Sequence, residues 1–389
     1  MNDQLAADWE RFRDNPPDDP VSYIRSRYRI DLTARYLGVS LPHPIGKASG
    51  QLSLRRDQLE TDAAAGIALV ILKTVIAQDA AGHQSMSAWA IHETRMKVEH
   101  RAARDGRGGW TVTWKGRGWD RTFEEYLQLV RDARELTGAG GPLIVPSVKY
   151  HLPRAGEPFN EDEYNFTTSH LADAWGRGPL LVEKDFSPTL AGDPRSDERR
   201  QILRWLEEVP GLIRRAAPDG CRVALKLMNA TFDDEFQLAM LKAGSGADAL
   251  VAFNRLWDPE QGVAVGGWDL SERNLRVLRA AQSEGFQLPP LTGTGNINSG
   301  RVIMAYALAG CESVQLHTFF QLPLGEYGIR SGSRPTRALN TLLFDPRDGL
   351  VAVMLELEEL GVLTRHGGEL RFLDTVGLAS RNLDAPRFG

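Results

Sequence analysis

From about Leu41 onward, short uninterrupted apolar runs alternate with longer stretches whose apolar positions recur at helical spacing. A run that is apolar at successive positions is what a strand covered on both faces looks like, whereas the longer stretches have the period of amphipathic helices. The runs predict strands over His43–Gly50, Ile67–Thr74, Pro142–Val148, Pro179–Phe186, Arg222–Met228, Ala247–Phe253, Pro290–Thr292 and Ser313–Leu316. Between them the pattern predicts helices over Asp57–Ala65, Thr122–Glu135, Thr168–Trp175, Glu198–Arg215, Asp233–Lys242, Ser271–Ser283 and Ser299–Leu308. Eight strands alternating with helices predict an α/β protein, a (β/α)8 TIM barrel over residues 41–335. Residues 1–40 form an N-terminal extension, and residues 336–389 the last barrel helix and a C-terminal extension. In that tail Leu350–Glu359 is helical and Thr364–Asp374 resembles a small hairpin.

One long insertion, residues 75–121, interrupts the alternation after the second strand and carries Trp89, Trp110, Trp114 and Trp119. Long excursions at the C-terminal face of a barrel serve as lids or substrate loops, so a lid is expected here. The alternative is a surface hairpin that packs its tryptophans on the barrel rim. His92, Arg95 and Lys97 within it form a basic group, read as solvated charges unless the loop folds over the site.

Composition narrows the partners. The 389 residues carry 46 basic and 51 acidic side chains, a net charge of −5, with no bias toward nucleic acid or a membrane surface. The two cysteines, Cys221 and Cys311, build neither a disulfide framework nor a Cys-x-x-Cys cluster, so an iron–sulfur relay would need a separate electron-transfer partner. The opening MNDQLAADWERFRDNPPDD is charged and lacks the apolar segment of a secretory signal, and no run approaches a membrane span. A cytoplasmic protein acting on a small molecule is expected, without a metal site.

The chemistry concentrates at strand ends. Gly293-Thr294-Gly295-Asn296 leads into the helix beginning near Ser299, and the last strand ends at His317-Thr318. Two strand-to-helix turns that expose backbone N–H groups make a seat for a phosphate dianion. In barrels such a seat commonly follows the last two strands. The other polar strand ends are Ser49, Lys73, Thr74, Lys149, Lys184, Asp185, Ser187, Lys226, Asn229 and Asn254. A buried lysine costs several kcal/mol unless it meets an anion. Singly each lysine reads as a rim salt bridge; together they suggest an interior that takes an electron-rich, anionic ring.

Over about Leu41 to Thr318 these motifs resemble, in order, the dihydroorotate dehydrogenase superfamily of FMN-dependent barrels. Ala48-Ser49-Gly50 is similar to the family segment that lies against the flavin, and Lys73-Thr74 to its Lys-Thr, whose lysine approaches the ring. Lys226 stands where the family lysine faces the N1/O2 edge, Asn254 matches its sixth-strand asparagine, and Gly266-Gly267 its following glycine pair. Gly293, Gly295 and Asn296, with His317 and Thr318, resemble the two FMN-phosphate loops. The resemblance implies FMN as cofactor, hydride transfer through flavin N5, and a homodimer.

The departures bear on substrate. Asn296 and His317 stand where the family has glycines; asparagine tolerates the left-handed turn, and the histidine is expected to hydrogen-bond the phosphate. The fourth-strand loop reads Lys184-Asp185-Phe186-Ser187-Pro188-Thr189. Aligned on the proline, Ser187 takes the catalytic-base position, while Lys184 and Thr189 replace asparagines that grip orotate. Lys184, Lys73 and Ser187 are therefore the expected catalytic residues, with Lys184 directed to the barrel top and Asp185 turned aside. A serine needs a neighbouring acceptor to act as a base. Loss of the orotate-binding asparagines leaves pyrimidine polar edges unmatched, at about 1–3 kcal/mol each. The expected activity is a flavin-dependent dehydrogenase or reductase of a C–C bond in a small anionic or polar substrate other than orotate. The alternatives are a true dihydroorotate dehydrogenase, a non-redox phosphate-binding lyase or isomerase, and a catalytically silent barrel.

Overall fold

The computed structural model describes residues 3–87, 96–102, 108–114, 118–186, 199–217, 219–229, 233–258, 263–267 and 270–378. Trp89, His92, Arg95, Ser187, Pro188 and Thr189, and the side chain of Trp114, lie outside the described parts.

The fold is mixed α/β, built on a curled sheet whose main path contains ten parallel strands. In order across the sheet these are Val75–Ile76, Ser147–Lys149, Leu180–Asp185, Cys221–Asn229, Ala249–Asp258, Leu291–Thr294, Cys311–Leu316, Ile45–Lys47, Leu69–Ile71 and Leu143–Val145. All eight predicted runs contribute, but two are broken. Pro146 splits the third run because it has no N–H for the ladder; its carbonyl instead accepts the Glu183 N–H at 2.9 Å. The second run leaves the sheet after Ile71, and the chain re-enters it at Val75–Ile76, at the start of the stretch expected to be an insertion, so this segment and the third run each contribute to both ends of the path. The strand Leu180–Asp185 is buried at every position, as a parallel strand covered on both faces should be.

Helices follow the predicted periods: Arg56–Ala64, Phe123–Gly138, Arg199–Arg215, Asp234–Ala243, Leu270–Ser283 and Gly300–Leu308. Their starts carry side-chain caps where the sequence offers them. Thr122 and Glu125 form a reciprocal capping box, and Asp233 and Ser299 accept from Phe236 and Val302 N–H groups. The helix predicted at Thr168–Trp175 begins earlier and spans Glu161–Trp175, with three acidic residues in its first turn.

The chain ends pack onto each other. Ile30–Asp31 pairs in parallel with Leu370–Arg371, and Arg25 bonds Glu369 at 3.0 Å. The predicted hairpin over Thr364–Asp374 is thus only the isolated bridge His366–Glu369, because the strand beyond it pairs with the N-terminal extension instead. A second N-terminal piece, the hairpin Ala34–Tyr36 with Val39–Leu41, sends the Tyr36 hydroxyl 3.0 Å from the buried Glu183 carboxylate.

Within the insertion, Met96–Ala102 pairs antiparallel with Gly108–Trp114 as the two strands of a hairpin. It joins the main sheet through Val263–Gly267, which pairs in turn with the end of Ala249–Asp258. Trp119 is buried, packed edge-on to Tyr126 at 5.3 Å between ring centres. No helix among the described residues is long and apolar enough to cross a membrane.

Candidate functional site

A cavity of about 300 Å³ opens at the C-terminal ends of the strands, within the size range of small-molecule sites. Its walls include Ala48, Ser49, Lys226, Asn254, Gly266, Gly295, Asn296, His317 and Thr318, all named from sequence, Gln315 from the same stretch as His317, and Arg255, which was not named. The hairpin supplies His100, Trp110 and Val112, so it is a hairpin and a wall of the cavity at once. The Trp110 indole N–H donates to Glu326 at 3.1 Å, tying the hairpin to the segment beyond the last parallel strand. Lys97 turns to Glu99 at 2.6 Å and is exposed, in keeping with a solvated charge.

The floor is a closed polar network. The Lys226 ammonium donates to Glu183 at 3.3 Å and to Gln315 at 3.2 Å, and Gln315 donates to Glu183 at 2.7 Å. With Tyr36 donating to the same carboxylate, Glu183 is paired and saturated despite complete burial. That pairing removes the cost of burying Lys226 and holds its ammonium at the cavity wall.

The turn at the end of Leu291–Thr294 is shaped by the residues behind it. Gly295 has φ 96° and Asn296 φ 48°, so the asparagine adopts the left-handed geometry predicted for it. A Cβ at Gly295 would come within 2.8 Å of the Phe253 carbonyl oxygen. Asn274 donates to the carbonyls of Phe253 and Thr294 at 2.9 and 2.8 Å, locking two strand ends together. Gly293 is behind the wall, where a Cβ would run into the Tyr306 ring. The helix that follows starts at Gly300 with Ser299 as its cap.

His317 lies over Gly50, where a Cβ would stand 2.1 Å from the imidazole Cε1. Both ring nitrogens are buried without a hydrogen-bond partner among the described residues. Burial holds the ring neutral, well below the usual histidine range, and nearby Arg255, Lys226, Lys73 and Lys47 reinforce this. Arg255 is half-buried, and burial pulls its pKa down to about 9, opposed by Asp185, which leaves it cationic at neutral pH. Gly266 joins the two sides: its carbonyl accepts from Thr111 of the hairpin at 2.7 Å and from Thr318 at 3.3 Å. Gly267 continues that strand in register with Thr111.

Of the expected catalytic residues, Lys73 is buried near His317 but is not in the cavity wall. Ser187 lies outside the described residues. Lys184 requires a correction. It is fully buried, its ammonium 3.4 Å from the Asp185 carbonyl and 4.6 Å from the centre of the Phe186 ring. Burial, then Lys149, push its pKa far down, with Asp185 and Glu163 opposing. The cause is strand alternation: Glu183 and Asp185 share one face, and Lys184 takes the other. Asp185, expected to turn aside, instead accepts from the Thr74 hydroxyl at 3.2 Å. Thr74 in turn contacts the hydroxyls of Ser49 and Ser147, each at 3.0 Å.

Among the described residues no group of three or more His, Cys, Asp or Glu could hold a metal ion. No protein-family model matches the chain, and no curated protein matches it significantly.

Proposed function

We propose that this protein is an FMN-dependent oxidoreductase of the kind the sequence resembles, acting on a small anionic or polar substrate other than orotate. The carrying observation is that one cavity gathers Ala48-Ser49, Lys226, Asn254, Gly266, Gly295-Asn296 and His317-Thr318. These come from separate strand ends, and they are the positions the resemblance implies for FMN. The unpartnered ring nitrogens of His317, the left-handed turn at Asn296 and the surrounding cations suit a ligand with a dianionic end. Lys226 suits the edge of a ring that becomes electron-rich on reduction. Bound FMN would supply two-electron hydride chemistry; the chain would orient it, exclude water beneath the hairpin and manage protons. Arg255 and His100 in the wall favour an anionic substrate.

The same reading includes closure of the sheet into an eight-stranded barrel. Its support is that Leu69–Ile71 and Val75–Ile76, and likewise Leu143–Val145 and Ser147–Lys149, are successive pieces of the same two chain segments at opposite ends of the strand path, and that Leu72 N–H to Val145 O and Ala77 N–H to Lys149 O, each 2.9 Å, continue the same pairing at the two ends.

The decisive experiment is the absorption spectrum of the purified protein, with mass analysis of whatever is released on denaturation. One FMN per chain is the expected result. A colourless protein that cannot be reconstituted with FMN would overturn the reading in favour of a non-redox phosphate-binding barrel. Ready turnover of dihydroorotate would overturn the divergent substrate alone.

A further inference from the structure

We propose that Ser49, Thr74 and Asp185 form a proton relay that opens into the cavity at Ser49 and ends on the Asp185 carboxylate. It rests on the flavin reading above, and supplies the acid–base group which that chemistry needs. Hydride transfer to or from a C–C bond requires a proton to move at the adjacent atom, and an isolated hydroxyl is too weak a base for this.

The geometry dictates a direction. A threonine hydroxyl has one proton and two lone pairs. Thr74 donates its proton to Asp185 Oδ2, at 3.2 Å. Its two other contacts, Ser49 Oγ and Ser147 Oγ at 3.0 Å each, are therefore donors to the Thr74 oxygen. With Asp185 ionised, the protons of all three hydroxyls point toward the carboxylate. Among the four residues only Ser49 reaches the cavity wall, whereas Thr74, Ser147 and Asp185 are buried behind it. The path thus leads from the reacting space to a carboxylate shielded from solvent.

In the oxidising direction, bound FMN would accept the hydride, with both electrons of the broken substrate C–H bond. The proton of the neighbouring C–H or heteroatom–H goes to Ser49 Oγ as the Ser49 proton passes to Thr74 Oγ1. The Thr74 proton passes to Asp185 Oδ2, and both hydroxyls end neutral. The reducing direction runs the same steps backward. Ser49 is the group that touches the substrate; Thr74 and Asp185 act through it.

Among the described residues, charged groups from several segments surround Asp185. Arg255 faces it from Ala249–Asp258, Lys184 precedes it on its own strand, and Lys226 is its register partner on Cys221–Asn229. Lys73 adjoins Thr74, and Glu183, two residues before Asp185, is already bound by Lys226 and Gln315. The Arg255 guanidinium and the Lys226 ammonium favour the ionised carboxylate, the form that accepts a proton.

The test uses the FMN-loaded protein and reads the visible flavin band, so no substrate is needed. Titration of Asp185 behind Ser49 is expected to shift that band with pH, and Asp185→Asn to abolish the shift while binding FMN with unchanged stoichiometry. Thr74→Val is expected to move the midpoint upward, because the carboxylate loses a donor, and Thr74→Ser to restore it. In a stopped-flow pH jump, Ser49→Ala is expected to slow the relaxation by about tenfold or more with an unmoved midpoint. A slowed relaxation marks a conducting path, which a merely structural hydrogen bond would not produce. A band shift that survives in Asp185→Asn, or an unchanged rate in Ser49→Ala, overturns the relay and leaves the flavin reading intact. Absence of FMN uptake by the unmodified chain overturns the flavin reading, and the relay with it.

Discussion

The imidazole of His317 occupies the space that a side chain at Gly50 would need, with only 2.1 Å between a Cβ there and the ring Cε1. The two residues lie at the ends of adjacent strands, since Ala48 N–H donates to Leu316 O at 2.8 Å. A side chain at position 50 would therefore require the His317 ring, which lines the cavity, to move.

Gly50→Ala should therefore displace the imidazole into the ligand space. Uptake of FMN, followed by quenching of flavin fluorescence, is expected to weaken by about tenfold or more, equivalent to at least about 1.4 kcal/mol. Unchanged affinity would mean that the ring can swing aside without touching the ligand.

Glu183 should be needed for stability apart from any chemistry. Glu183→Leu leaves the Lys226 ammonium buried without its carboxylate and strands Gln315 and Tyr36. A loss of about 3–5 kcal/mol is expected in urea unfolding. The double variant with Lys226→Met should recover part of it, because no uncompensated charge remains.

His43 should make the fold acid-sensitive. It is fully buried, donating from Nε2 to Gly66 O at 2.8 Å and accepting the Ile45 N–H on Nδ1 at 3.1 Å. A second ring proton would face that N–H, and burial holds the pKa at about 4. With the folded value below the unfolded one, the unfolded chain binds more protons between them. Stability is then full above about pH 6.5 and falls by about 3 kcal/mol as pH drops toward 4. Urea titrations at pH 7 and pH 4.5 should show this loss, and His43→Gln should reduce it.

Asn296 at φ 48° gives a local test of the turn. Asn296→Gly should be close to neutral, whereas Asn296→Val should cost about 1–2 kcal/mol and weaken FMN uptake. Equal stability of the two variants in denaturant would show that the turn does not depend on left-handed backbone at this residue.

Trp110 offers a direct optical report on occupancy. Its ring lines the cavity and its indole N–H holds Glu326. Binding of FMN should quench its emission, and Trp110→Phe should remove that component of the quenching. Glu326→Gln, which weakens the hold on the Trp110 indole, should raise the FMN dissociation rate more than the association rate.

The order of strands and helices was legible in the chain because each depends on local spacing. Apolar runs such as Ile67–Leu72 leave no polar face, and caps such as Thr122 with Glu125 act within one turn. The left-handed turn at Asn296 and the glycines of the cavity wall were legible for the same reason: they answer to backbone sterics at a single position. What only the tertiary structure decided depends on which residues meet across the sheet. In a strand buried on both faces, polarity does not reveal which parity points inward, so Glu183 and Asp185 could not be separated from Lys184 by sequence alone. Nor does local pattern show that Tyr36 reaches Glu183, that Pro146 divides its strand between two partners, or that Gly108–Trp114 joins the sheet through Val263–Gly267. These are contacts between residues far apart in sequence, selected by packing and by the need to pair every buried polar group.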